Sequence, residues 1–298
     1  MLRIILFLTT IIILLFTACE TPVDIDIPHN AITTIAFASQ SYNDSLQVYI
    51  AHTKHIFDTN RYKGCDSTAE AIIFYNGEQF PLKYNGKRFV SEGLTFNSGD
   101  SVLLQITGIN SKHTYAKTVI PQGTIAHSIE ITPSALLIED VYFSRVQLCF
   151  NDPGNEINYY EFSLNVTQIK DDSASSFGYH DFRSFDPIMV NEDIMQYEPI
   201  TMLFSDAMFN GSKVSIPMYY FLNFFTESLQ KVIVVSELRN VTREHYLYHK
   251  SLYKFMYNQG GIWQGMTMPV SVNGNIENGA GLFSLYTSTF DTVFYDFR

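Results

Sequence analysis

The chain has 298 residues, a formal net charge of −11, and 46% hydrophobic and 15% aromatic content. That excess of acid excludes nucleic acid as a partner, because phosphates call for a basic surface, and it argues against charge-driven binding to anionic lipid. The apolar content suffices for a substantial core, which sets intrinsic disorder aside.

Met1–Arg3 carries one positive side chain, and Ile4–Phe16 is apolar except for Thr9 and Thr10. This is the length of a signal-peptide h-region and too short to span a hydrocarbon core of about 30 Å. Thr17 and Ala18 then lead to Cys19. The pattern resembles the bacterial lipobox, in which signal peptidase cuts before a cysteine whose thiol is acylated; Phe16 stands where Leu is usual. The alternative is an ordinary secretory signal with a cysteine near its end. On the lipobox pattern, residues 1–18 are a lipoprotein signal peptide and Cys19 is the lipidation site. Acyl chains, at about 0.8 kcal/mol per buried methylene, then hold the protein to a membrane. Residues 19–30 follow as a lipidated tether: Pro22 and Pro28 block a helix, and Glu20, Asp24 and Asp26 keep the segment hydrated.

With Cys19 acylated, Cys65 and Cys149 remain. They lie far apart, their spacing fits no metal motif, and both a disulfide and two free thiols stay open. Cys149, inside "RVQLCF", reads as a buried strand residue, while Cys65 sits in the polar stretch "YKGCDST".

From Ala31 onward short Val-, Ile-, Phe- and Tyr-rich segments alternate with turn residues. "LQVYIAH", "EAIIFYN", "EQFPLKYN", "KRFVSE" and "SVLLQITGI" are strand-length, and Asn76-Gly77, Asn85-Gly86 and Ser98-Gly99-Asp100 mark turns. The pattern predicts a β-sandwich over residues 31–122, closing at Pro121-Gln122-Gly123. Residues 123–298 read as a second, mainly β domain. Its strands are "SIEITP", "VYFSRVQLCF", "NYYEFSLNVTQI", "FNGSKVSIPMYYFLNFF", "KVIVVSELRN", "LFSLYTS" and "TVFYDFR". Asp171–Ser176 reads as a loop. One helix is expected over 242–258: Thr242 caps it, Glu244 lies in its first turn, and Tyr248, Leu252, Phe255 and Met256 form its apolar face. The fold class is therefore mainly β, with two immunoglobulin-like sandwiches and one helix.

Three blocks, "FSDAMFNG" (204–211), "LRNVTREHYLYHKSLY" (238–253) and "GNIENGAGLFSLYT" (274–287), resemble the signature blocks of the Bacteroidota lipoprotein family catalogued as domain of unknown function 4249. The opening "CETPVDIDIP" fits the same family. The resemblance implies an outer-membrane-directed lipoprotein, often encoded beside a TonB-dependent transporter, and it implies no reaction. Read from the residues alone, Gly279 and Gly281 suggest a backbone that needs positive φ or close packing. The functional alternative is a ligand loop of Asn275, Glu277 and Asn278.

Catalytic signals are sparse. His245 and His249 stand one helical turn apart without the Glu of a zinc-protease helix, so a hydrogen-bonded or exposed pair is expected rather than a metal site. No glycine-flanked serine elbow or phosphate-cradling loop occurs. Trp263, the only tryptophan, is either a core residue or a surface platform, and it marks a candidate partner-binding turn with Gly260 and Gly261; the Asp171–Asp186 passage is the other candidate. Five Asp-Ser/Thr triplets place candidate O-glycosylation at Ser45, Ser67, Ser101, Ser173 and Thr292, against the alternative that Asp-Ser merely marks turns. The expectation is a non-enzymatic, lipid-anchored outer-membrane protein, on the periplasmic or cell-surface face. It would need no cofactor and would act as an accessory or ligand-capturing partner of a β-barrel transporter. The rival is a structural or adhesive envelope protein.

Overall fold

Alternation of apolar and polar residues along the chain produces strands whose inner faces close two cores. The computed structural model describes residues 33–53, 64–107, 113–123, 125–154, 156–170, 173–179, 182–221, 229–259 and 270–296. Cys19, the tether and Trp263 lie outside these residues, as do Asp171, Asp172, Gly260 and Gly261.

The strands of the N-terminal part are β1 (Thr34–Ser41), β2 (Gln47–His52), β3 (Glu70–Tyr75), β4 (Glu78–Pro81), β5 (Lys83–Tyr84), β6 (Phe89–Val90), β7 (Ser101–Thr107) and β8 (His113–Val119). In β3 the period of two is direct: Ala71, Ile73 and Tyr75 are buried. Asn76 and Gly77 take φ of 50° and 82° and turn β3 into β4. The first core gathers Ile50, Ile73, Leu104, Ile106 and Phe283.

The next strands are β9 (His127–Ile138), β10 (Val141–Asn151), β11 (Tyr159–Lys170), β12 (Ser173–Tyr179) and β13 (Phe182–Arg183). After the short helix α1 (Pro187–Asn191) come β14 (Met202–Ser205), β15 (Lys213–Tyr220) and β16 (Leu229–Val241). The long helix α2 (Arg243–Gln259) is followed by β17 (Ile276–Glu277) and β18 (Gly279–Asp296). The second core contains Leu148, Phe150, Tyr160, Phe162, Phe204 and Ile216.

Strand β18 joins the two cores. Its first half runs parallel to β1, from Thr34↔Gly279 to Ser41↔Tyr286. Its second half runs antiparallel to β16, from Asn240↔Thr287 to Lys231↔Asp296. One nine-stranded sheet therefore follows the order β12-β11-β16-β18-β1-β2-β6-β5, with β14 beside β11. The sheet β17-β8-β7-β3-β4 faces its N-terminal part, and β13-β15-β10-β9 completes the second core. All described residues belong to a single compact unit.

The mainly β class is as expected, with corrections in detail. "LFSLYTS" and the described part of "TVFYDFR", to Asp296, form one strand, because β1 and β16 supply successive partners that keep its backbone paired. The loop expected at Asp171–Ser176 gives way from Ser173 onward to β12, which pairs with β11 from Lys170↔Ser173. Helix α1 was not expected; Asp186 caps it by accepting from Ile188 N at 2.9 Å, and Pro187 opens its first turn. Cys149 lies on the outward side of β10, half-buried beside Ser215, because Leu148 and Phe150 take the inward positions. Both Cys65 and Cys149 are free thiols. No described helix is long and apolar enough to cross a membrane.

Candidate functional site

Helix α2 begins where expected. Thr242 Oγ1 accepts from His245 N at 3.2 Å, and Thr242 O accepts from Tyr246 N. The face it buries is different from the expected one. His245, Tyr246, Ser251 and Tyr253 are buried, whereas Met256 is 50% exposed. The reason lies beneath: the sheet face under α2 presents charge, from the register partners Glu161 of β11 and Arg239 of β16, beside a smaller apolar cluster in which Leu203, Val241 and Tyr286 take up Tyr246 and Tyr253.

Glu161 is the centre of this joint. Its Oε2 accepts from Arg239 Nη1 at 2.9 Å and faces His245 Nε2 at 3.1 Å, while Oε1 accepts from Thr201 Oγ1 at 2.7 Å. Burial opposes its charge, but the His245 hydrogen bond and the Arg239 guanidinium outweigh that and hold the carboxyl well below the usual range. Arg239 also donates to Glu237 at 2.5 Å and sits 5.0 Å from the ring centroid of Tyr286. Tyr253 OH shares a hydrogen bond with Thr201 Oγ1 at 2.7 Å, and burial pushes its pKa up to about 12.

On its other ring nitrogen His245 meets Ser39 Oγ of β1 at 3.2 Å. His249 lies 4.5 Å from His245 between ring centroids; burial, then His245, lower it to about 4. A second knot forms at Glu192, which accepts from Ser205 N and Oγ, from Tyr246 OH and from Lys250 Nζ. Ser39, His245 and Glu161 thus stand in hydroxyl–imidazole–carboxylate order, an arrangement that sequence spacing conceals. His245 is 1% exposed, and Arg239 holds the carboxylate oxygen that faces its ring. The chain of groups fastens α2 to both halves of the sheet and gives a substrate no route to the imidazole.

The other two blocks are also occupied in closing backbone. Asn275 accepts from Phe283 N at 2.9 Å and donates to Phe283 O at 2.7 Å and Lys117 O at 3.0 Å. Asn278, at φ 55°, donates to His113 O. Gly281 has φ 115°, and both Gly279 and Gly281 lie against the backbone of β1. Asp206 accepts from Asn158 N at 2.8 Å, and burial raises its pKa. Gly154 and Gly211 meet so closely that a Cβ on Gly154 would stand 2.8 Å from Gly211 Cα.

Two of the three blocks, 238–253 and 274–287, border an open cleft of about 780 Å³, together with Lys117, Ile157 and Asn158. Its charges are of both signs, and Ile157 is 65% exposed. Glu277 and Asn275 therefore do border a cavity, although the Asn275 amide is committed to backbone. The five hydroxyl residues of the Asp-Ser/Thr triplets, Ser45, Ser67, Ser101, Ser173 and Thr292, are all exposed and spread over separate strands and turns. Several of their aspartates already have tasks: Asp66 accepts from Thr68 N and Asp100 from Asn97 N within their own turns, and Asp291 accepts from Ile129 N of β9. The described residues contain no group of three His, Cys, Asp or Glu placed to hold a metal ion.

The fold and joint define a class: a mainly β protein whose two cores share one sheet and whose distinctive residues lock that sheet together. Within it, the chain belongs to the family described as Domain of unknown function (DUF4249), whose model matches residues 20–291. A comparison with curated proteins gave no match.

Proposed function

We propose that the protein is a lipid-anchored outer-membrane or cell-surface lipoprotein, serving as accessory or ligand-capturing partner of a TonB-dependent β-barrel transporter. The observation that carries this is the apolar run Ile4–Phe16 ending in Thr17-Ala18-Cys19, followed by an acidic, proline-containing tether. Anchoring raises the effective concentration of a capturing module near a pore without any added contact. The cleft supports capture: it is open, bordered by Lys117, Arg243 and Glu277, and adjoins a joint whose titratable groups are tied to each other. Purification of the full-length protein from its host's membranes in mild detergent tests this, with a co-purifying large β-barrel as the expected result. Recovery without any barrel, under conditions that preserve other envelope complexes, rejects it.

A structural or adhesive role is the second reading. Among the described residues strand β12 ends its sheet, an edge suited to strand addition. Partners that are soluble or filamentous, with no barrel among them, favour this role.

A further inference from the structure

Helix α2 lies over the register partners Glu161 and Arg239, on the outer face of the nine-stranded sheet. The next outward row runs Ser163↔Glu237↔Phe290 across β11, β16 and β18, and the row after it holds Asn165. Ser163, Asn165, Glu237, Arg239 and Phe290, with Ile200 from outside the sheet, line a cavity of about 500 Å³. That size suits a small ligand. The cavity shares no lining residue with the cleft beside Lys117.

Its polar groups are set in place and unused. Thr167 donates to Ser176 Oγ at 3.2 Å, and Ser176 donates to Asn165 Oδ1 at 2.7 Å. This fixes the Asn165 amide and leaves its Nδ2 hydrogens without an acceptor among the described residues. Ser163 Oγ and Glu237 Oε1 have no partner there either. The two charges of the cavity satisfy each other: Arg239 donates to Glu237 Oε2 at 2.5 Å, and to Glu161 at 2.9 Å. Phe290 is 65% exposed and its ring has no aromatic or cationic neighbour, whereas Phe294 on the same face carries Lys231 Nζ 5.0 Å from its centroid. An exposed phenylalanine alone needs no explanation; a bare ring beside unused donors and acceptors does.

We infer that this cavity binds a neutral sugar, with one C–H face of the sugar against the Phe290 ring and its hydroxyls meeting Asn165 Nδ2, Ser163 Oγ and Glu237 Oε1. The donor set selects that class. A hydroxyl both donates and accepts, so neighbouring sugar hydroxyls satisfy an amide donor and a carboxylate acceptor together. An anion meets Glu237 and finds Arg239 already held by two carboxylates, and a cation must draw Glu237 away from Arg239. A lipid chain strips water from Asn165, Ser163 and Glu237 and returns no hydrogen bond. An extended peptide recognised through its backbone needs a strand edge, and β11, β16 and β18 are paired on both sides here. The inference concerns this cavity alone and does not depend on the transporter reading.

The test is calorimetric titration of the full-length protein with neutral oligosaccharides of glucose, galactose, xylose, mannose and N-acetylglucosamine. Oligogalacturonate, decanoate and a polyalanine-based peptide serve as charged, apolar and peptide probes. At least one neutral oligosaccharide should bind with an affinity on the order of millimolar or tighter, changing less than about twofold between low and high salt. Phe290→Ala should weaken it about tenfold, and Asn165→Ala about fivefold, with unchanged thermal midpoints because both positions are exposed. Phe290→Tyr should keep the binding, and Phe185→Ala, 64% exposed elsewhere, should leave it as it was. No binding of any neutral oligosaccharide, tighter binding of the uronate, decanoate or peptide, or affinity undiminished in both Phe290→Ala and Asn165→Ala overturns the inference. A barrel that co-purifies with a protein that binds no sugar leaves the transporter reading intact and rejects only this site. Sugar binding without a barrel upholds the site and counts against the transporter.

Discussion

A Cβ built on Gly281 would stand 2.0 Å from the carbonyl oxygen of Ala36, the tightest approach of any described glycine. The two residues are register partners in the parallel pair of β1 and β18, at the start of the strand that joins both cores. At φ 115° no L side chain sits comfortably, and the obstacle is backbone, which yields only if β1 shifts. Gly281→Ala is therefore expected to destabilise by roughly 3 kcal/mol or more, enough to prevent folding in a marginal domain. Gly93→Ala, at φ 68° with nothing within 4 Å, should cost only about 1–2 kcal/mol. Denaturant unfolding of the two variants measures the difference, and similar losses would show that the β1–β18 contact does not control stability.

Local features of this fold were legible in the residues, and distant ones were not. Alternation in "EAIIFY" places Ala71, Ile73 and Tyr75 inward, and Thr242 marks the helix start, because both signals act within a few residues. The buried face of α2 was illegible: His245 is satisfied by Glu161, which lies 84 residues away, so the periodicity of Tyr248, Leu252 and Met256 pointed to the wrong side. Edge strand β12 lacks apolar alternation because its described side chains are exposed. For α1 the signal was present in Asp186-Pro187, a cap followed by the residue best tolerated at a first helical position. The polar joint itself needed the register Glu161↔Arg239, which is set by the pairing of whole strands.

Removal of one member of that joint should be costly, and removal of both much less so. Glu161→Gln leaves Arg239, 22% exposed, with Glu237 as its remaining acidic partner, and the expected loss is about 1.5–3 kcal/mol. Glu161→Leu combined with Arg239→Met removes both charges from a region that desolvates them, and should recover at least half of that loss. A double-mutant cycle by chemical denaturation checks the coupling. Additive losses in the cycle would mean that the pair contributes no specific attraction.

The anchor has its own test. Cys19→Ala is expected to give an unprocessed or soluble product while the wild type partitions with membranes, because the acyl contribution to membrane affinity is lost. Metabolic labelling with palmitate, followed by membrane fractionation, measures both effects. Equal label in the two proteins would remove lipidation at Cys19 from consideration and leave the ordinary secretory signal.

The last prediction concerns acid sensitivity under α2. His249, packed against His245 and within reach of Glu161 and Arg239, is lowered to about 4, first by burial and then by His245. An unfolded histidine titrates near pH 6.5, so between about 6.5 and 4 the unfolded chain binds a proton that the folded chain refuses. Stability is thus full above the unfolded value and falls as pH falls through this window, by up to roughly 3 kcal/mol from this group. His127, lowered by burial between Thr289 and Ser236, acts in the same direction. Glu161 adds its share further down: its carboxyl is held low, so its contribution is present above the unfolded carboxylate pKa and is lost only as pH falls through the folded one. Asp206, raised by burial, acts in the opposite direction. His249→Asn removes the first contribution and leaves the others. Thermal unfolding from pH 7 to 4.5 should then show a shallower decline in the variant than in the wild type. Parallel curves would mean that the imidazole takes its proton without disturbing the helix, and that acid sensitivity resides in His127 or the carboxylates.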